Sequence, residues 1–67
     1  MNTYQFVCNN KTKTFIATSL KNAEEKGALI LEELNDNLDL LGLSWEEIQD
    51  ECTNYNITVS DLTEILE

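Results

Sequence analysis

The stretch TYQFVCNNKTKTFIAT, residues 3–18, decides the fold. Apolar and polar residues alternate in both of its halves, which is typical of half-buried strands. The apolar residues of each half share one face of an extended chain: Tyr4, Phe6 and Cys8 in the first, Phe15 and Ala17 in the second. Residues 9–12 between the halves are polar, and their asparagines tolerate turn geometry. The pattern therefore predicts a β-hairpin.

The position of the turn sets the register of this hairpin. A turn centred on residues 10–11 keeps all the aromatic side chains on one face. It gives two cross-strand pairs, Phe6 with Phe15 and Tyr4 with Ala17. The opposite face would carry a partly apolar set: Gln5, Val7, Thr14, Ile16 and Thr18.

A first helix is predicted directly after the hairpin. Ser19 is a candidate N-cap, and the apolar residues that follow recur at helical spacing: Leu20, Ala23, Gly27, Ile30, Leu31 and Leu34. The turn-forming residues 35–37, NDN, should end the helix. Glycine destabilises a helix interior by about 1 kcal/mol relative to alanine. We therefore expect Gly27 to allow a close approach of this helix to the sheet.

A second helix is predicted after a leucine-rich connector. Residues 38–43, LDLLGL, are expected to form one helical turn that packs leucines under the sheet. Ser44 and Glu47 have the spacing of a capping box. The helix should continue to about Thr53. Its inward residues would be Trp45, Ile48 and Cys52, and its carboxylates would face outward.

The C-terminal residues indicate a third strand. Residues 55–59 alternate, with Tyr55, Ile57 and Val59 on one face. For residues 60–67 two alternatives remain: a helical turn capped by Ser60, or continuation of the strand past a bulge. The sequence thus predicts one α+β domain over residues 1–67. A small antiparallel sheet, the hairpin plus a third strand, would carry two helices on one face in the order ββααβ.

Charge is distributed very unevenly along the chain. From Glu32 onward there are eleven Asp or Glu and no Lys, whereas the preceding residues have four Lys and two Glu, giving a net charge of −9. Residues 32–51 contain eight carboxylates: Glu32, Glu33, Asp36, Asp39, Glu46, Glu47, Asp50 and Glu51. Asymmetry of this kind is informative about partners and solubility rather than about fold.

Several kinds of chemistry are disfavoured by composition. The sequence has no His, no Arg and no glycine-rich phosphate loop, and a core this small leaves no room for a deep substrate pocket. Residues 35–46 show part of an EF-hand spacing, but Leu40 occupies the position where glycine is needed. We therefore predict a non-enzymatic protein without a cofactor or a metal site.

The cysteines and the N-terminus point to the cytoplasm. Cys8 and Cys52 are far apart in the sequence and form no CxxC motif, so buried, reduced thiols are the expected state. The N-terminal residues lack the basic and apolar segments of a signal peptide. With a pI of about 4.1, the chain should be repelled by nucleic acid and by anionic membranes.

The eight carboxylates are the predicted partner-binding residues. Carboxylates in rows on a helix can imitate a line of phosphates and occupy the basic groove of a nucleic-acid-binding protein. The alternative is that they only keep a small protein soluble. A different hypothesis is an assembly module, a homodimer in which Val7 and Ile16 of the exposed sheet face form the interface.

In size, acidity and lack of catalytic residues the chain resembles the small anti-defence proteins of phages and mobile elements, which include anti-CRISPR proteins and DNA mimics. This resemblance covers no specific motif and assigns no role to any residue. It implies an inhibitor that presents acidic residues to a basic partner.

Overall fold

The computed structural model describes residues 1–66, which form a small α+β fold in the order ββααβ, as predicted. The elements are β1 (Asn2–Cys8), β2 (Lys11–Ala17), α1 (Leu20–Glu32), α2 (Trp45–Thr53) and β3 (Thr63–Ile65). The sheet is antiparallel with strand order β2-β1-β3, and both helices cover its inner face. Neither helix in the described part of the chain has the length and apolarity needed to cross a membrane.

The hairpin is confirmed, but its predicted register is wrong by two residues along β2. The two strands pair Tyr4 with Phe15 and Phe6 with Lys13. The turn consists of Asn9 and Asn10 alone, with φ of 49° and 69°. Two successive positive φ angles are typical of the tight type I′ turn, whose twist matches that of the strands. A shift of two residues leaves each side chain on its predicted face.

The third strand lies further along the chain than predicted. Residues 55–56 still belong to the turns after α2, and only Val59 forms a bridge to β1, opposite Cys8. The ladder is formed by β3, in which Thr63 lies opposite Gln5 and Ile65 opposite Thr3. The predicted strand over residues 55–59 is therefore wrong, although Ile57 and Val59 are buried as its alternation indicated.

A bulge connects that bridge to the β3 ladder. Three residues, 60–62, lie opposite two residues, 6–7, so one residue is extra. Ser60 satisfies both backbone polar groups of Val7 at this bulge. Its hydroxyl accepts a hydrogen bond from the Val7 N–H at 2.7 Å, and its own N–H donates to the Val7 carbonyl at 2.9 Å. Continuation past a bulge was one of the two alternatives for residues 60–67. Glu67 lies outside the described residues.

Helix α1 begins as predicted and ends earlier. The Ser19 hydroxyl accepts a hydrogen bond from the backbone N–H of Asn22. The last helical residue is Glu32, and its carboxylate accepts a hydrogen bond from the Leu40 N–H at 2.8 Å. Leu20 and Leu34 were expected to face inward but are 57% and 50% exposed. The buried residues of α1 are instead mostly small: Ala23, Gly27, Ala28 and Leu31.

The connector between the helices is not helical. Its residues form turns at positions 36–37 and 41–42, and Gly42 has φ of 89°, which a right-handed helix does not contain. The predicted helical turn is therefore wrong. Leu38 and Leu40 are buried, as the leucine-rich sequence indicated, whereas Leu41, also expected to pack under the sheet, is 50% exposed.

Helix α2 begins with the predicted capping box. The Ser44 hydroxyl accepts from the Glu47 N–H, and the Glu47 carboxylate accepts from the Ser44 N–H. The expected inward residues Trp45, Ile48 and Cys52 are all buried.

The Trp45 ring lies against Gly27 of α1. A Cβ added at Gly27 would be only 2.7 and 2.8 Å from two carbons of the ring, and 3.5 Å from the Phe6 ring. The close approach predicted at this glycine is therefore made mainly to α2 rather than to the sheet.

Candidate functional site

The eight predicted carboxylates lie on three consecutive parts of the fold. Glu32 and Glu33 are at the end of α1, Asp36 and Asp39 are in the connector, and the other four are on α2: Glu46, Glu47, Asp50 and Glu51. We call this set the acidic surface. Six of its members are exposed, and the two that are half-buried are Glu32 and Glu51.

Two carboxylates of the acidic surface stabilise the fold. Glu32 binds the backbone N–H of Leu40, which attaches the connector to α1, and Glu47 completes the α2 capping box. Within residues 1–66 the other six accept no side-chain hydrogen bond from the protein: Glu33, Asp36, Asp39, Glu46, Asp50 and Glu51. Five of these six carboxylates, all except the half-buried Glu51, are also exposed and are therefore available to a partner.

Residues 32–67 include no lysine, although Lys21 of α1 lines a groove together with Glu47. All four lysines precede the acidic surface, and they lie on β2 and α1. Lys26, the nearest in sequence, donates from Nζ to the Ile16 carbonyl of β2 at 2.6 Å. On α2, Glu46 and Asp50 are four residues apart, so their like charges repel and destabilise the helix by about 0.2–0.5 kcal/mol.

An open groove of about 990 Å³ lies between α1 and the connector, and it was not predicted from the sequence. Leucines and glutamates line most of it: Leu20, Leu41, Leu43, Glu24, Glu25 and Glu47. We call it the α1–connector groove. It places Glu47 of the acidic surface beside two glutamates of α1 that were not in the predicted set.

A second, smaller groove of about 480 Å³ lies beside the first. It shares Leu20, Glu24 and Ser44 with the α1–connector groove, and its further lining residues include Trp45, Glu46 and Asp61. We call it the α1–α2 groove. Leu20 therefore lies where the two grooves meet. The spacing of apolar residues predicted that the Leu20 side chain faces the core. No feature of the sequence predicted either groove.

The outer face of the sheet does not join the two predicted interface residues into one patch. Val7 and Ile16 are on this face and are 38% and 53% exposed. Ile16 lies opposite Thr3, four residues from Val7 along β1, so the two are separated by roughly 14 Å at about 3.4 Å per residue. Ile65 lies opposite Thr3 from the other side. Ile16 is therefore in one row with Ile65 rather than beside Val7.

The outer face also has no charged residue on its strands. Thr3, Gln5 and Val7 come from β1, Thr12, Thr14 and Ile16 from β2, and Thr63 and Ile65 from β3. In a chain with a net charge of −9, the charges are therefore concentrated on the helices, the connector and the edges of the sheet.

Neither cysteine is suited to nucleophilic chemistry. Cys8 and Cys52 are free thiols buried in the core. Burial raises the pKa of the Cys52 thiol to about 11, and the nearby Cys8 and Glu51 contribute in the same direction. Burial also raises the pKa of Cys8, against the opposing effect of Lys13 and Lys11. Reactive cysteines need the opposite shift, toward the thiolate.

No cluster of three or more metal-binding side chains occurs among residues 1–66. In the segment with partial EF-hand spacing, the side-chain oxygen of Asn35 accepts a hydrogen bond from the Asn37 N–H at 2.9 Å, which forms a local turn.

The chain matches no protein-family model, no curated protein and no solved structure.

The raised pKa of Cys52 predicts a stability change at high pH. The folded state keeps the thiol protonated up to about pH 11, whereas the thiol of the unfolded chain has its ordinary pKa of 9.0. The stabilisation is complete below about pH 9 and is lost as the pH rises toward 11, because only the unfolded chain releases the proton in that interval. Urea unfolding from pH 8 to 11 should show a steeper decline for the natural chain than for Cys52→Ala. Parallel declines would contradict this prediction.

Proposed function

We propose that this chain is a non-enzymatic protein-binding module whose acidic surface engages a basic surface on a partner protein. The observation that carries the proposal is the set of six carboxylates that accept no hydrogen bond from residues 1–66, combined with the absence of any lysine beyond Lys26 in the sequence. Solvated faces that serve solubility alone usually mix both signs of charge.

The arrangement on α2 supports this proposal. Glu46 and Asp50 repel each other in the free protein, and a Lys or Arg of the partner placed between them would turn that repulsion into attraction. Their side chains stand about 5–6 Å apart at Cβ, a spacing at which a row of carboxylates can imitate a row of phosphates. A nucleic-acid-binding protein is therefore the proposed class of partner.

In its sharpest form the proposal is an inhibitor that occupies the nucleic-acid site of its partner, as an anti-defence protein of a phage or mobile element would. We also propose that it acts in the cytoplasm. The two thiols remain free although both lie in the same buried cluster, which suits a reducing compartment.

Charge reversal at Asp50 tests the proposed contact. Asp50→Lys should release the partner at a lower salt concentration than the natural chain, because a carboxylate of the contact becomes a cation. The folded protein should be slightly more stable, since the introduced ammonium group would attract Glu46. The measurement is retention of the partner from host lysate on the immobilised protein over a salt gradient, with DNA or RNA as competitor.

Glu64→Lys is the matched control. It makes the same change in net charge at an exposed position of β3, outside the acidic surface. If both variants release the partner at the same salt concentration, only the net charge matters and the assigned contact is wrong. A partner that neither salt nor nucleic acid displaces would also contradict the proposal.

A second candidate function is assembly of identical chains through the outer face of the sheet. The observation that favours it is the absence of charge from all eight outward-facing strand residues. Two molecules of net charge −9 repel least when such faces meet, and exposed Ile16 and half-buried Ile65 would supply the apolar contact.

Sedimentation over a range of protein concentrations tests this assembly. We expect a dimer that persists at high salt, and we expect Ile16→Lys to dissociate it because the substitution buries a charge in the interface. Leu29→Lys is the control, since Leu29 is similarly exposed, at 50%, but lies on α1. A chain that stays monomeric at high concentration excludes this function.

A further inference from the structure

Four leucines and Gly42 make up half of the ten residues that line the α1–connector groove, and the other five are polar or charged. Leu40 at its base is fully buried, while Leu20 and Leu41 are 57% and 50% exposed. Gly42 adds no side chain, and a Cβ built there would meet no atom within 4 Å, so the groove stays open at this point. Exposed leucines beside an open groove are typical of a surface that receives an apolar side chain.

The charges around this groove have one dominant sign. Its rim carries Glu24, Glu25 and Glu47 against a single cation, Lys21. The adjacent α1–α2 groove adds Glu46 and Asp61 and no lysine. Five carboxylates and one lysine thus line the two grooves to which Leu20 contributes. A complementary ligand must combine apolar groups with an excess of positive charge.

We propose that the two grooves bind a cationic amphipathic helix of the partner protein. Leu20 lines both grooves, and in this arrangement one apolar side chain of the partner helix would lie in each groove, one helical turn from the other. The lysines or arginines next to them in the partner helix would face the rim carboxylates. Helix-in-groove recognition uses apolar anchors at this spacing. This inference rests on the proposed function and deepens it, because it names the kind of segment that is bound.

The leucines of α1 and the connector provide a matched pair of variants. Leu20→Ser with Leu41→Ser removes the exposed apolar side chains of the α1–connector groove. Leu29→Ser with Leu34→Ser removes two leucines that are each 50% exposed and line neither groove. All four side chains are at least half exposed, so both double variants should fold, and circular dichroism checks this.

The probes are two synthetic peptides of about 14 residues, or four helical turns. The first contains lysine and leucine, with the leucines at helical spacing. The second has serine in place of every leucine and therefore the same charge. Neither contains tryptophan, so the fluorescence of Trp45, the only tryptophan of the chain, reports binding in the α1–α2 groove.

We expect the leucine peptide to bind the natural chain at least about tenfold more tightly than the serine peptide. The Leu20→Ser, Leu41→Ser variant should lose this preference, and the Leu29→Ser, Leu34→Ser variant should keep it. Added salt should weaken both peptides, because the rim contacts are electrostatic. The side-chain chemical shifts of Leu20 and Leu41 should move only with the leucine peptide, whereas those of the rim carboxylates should move with both.

Four results would overturn the inference. Equal, salt-sensitive binding of both peptides would show that charge alone acts, which leaves the proposed acidic contact intact. Failure of both peptides to bind, or equal loss in the two double variants, would show that the grooves are not the site. A dimer of the free chain that Leu20→Ser with Leu41→Ser dissociates would identify a second copy as the occupant. Salt-insensitive binding of the leucine peptide alone would instead contradict the electrostatic part of the proposed function.

Discussion

Trp45 contacts three separate parts of the chain. Its ring lies against Gly27 of α1 and 5.1 Å from the centre of the Phe6 ring in β1, and its indole N–H donates to the Ser60 carbonyl at 2.9 Å. Because Trp45 is also the first residue of α2, these contacts fix where that helix begins relative to the sheet, to α1 and to the bulge before β3. The carboxylates of α2 and the two grooves take their positions from this arrangement.

Local signals in the sequence were sufficient for the two hairpin strands and for the starts of both helices, but not for the third strand, the connector or the strand register. The caps at Ser19 and Ser44 depend on side chains within three residues, so they could be predicted. The register could not, because it depends on whether the turn is Asn9–Asn10 or one residue later, and both choices keep the apolar face intact. Similarly, the alternation of residues 55–59 reported burial correctly. It could not show that the ladder with β1 is formed by β3.

The acidic surface was predictable as a set of residues, since charge is read directly from the sequence. The sequence did not show which of these carboxylates stabilise the fold and which are free to bind a partner. Glu32 looked like a free carboxylate until the structure showed its hydrogen bond to Leu40, a contact that depends on the path of the connector. The same path leaves Leu20 exposed and forms one wall of the α1–connector groove. The partner and the binding event remain proposals, whereas the placement of these side chains follows from the fold.

The stability of Gly27→Ala tests the central role of Trp45 most directly, because two effects of opposite sign compete. Helix propensity alone predicts that alanine stabilises the protein by about 1 kcal/mol. The added Cβ would lie 2.7 Å from the Trp45 ring, which Phe6 and the hydrogen bond to Ser60 hold in place. Overpacking of this kind destabilises by about 1–3 kcal/mol. We therefore expect urea denaturation to show a net loss of up to about 2 kcal/mol, and a variant more stable than the natural chain would contradict this view of the core.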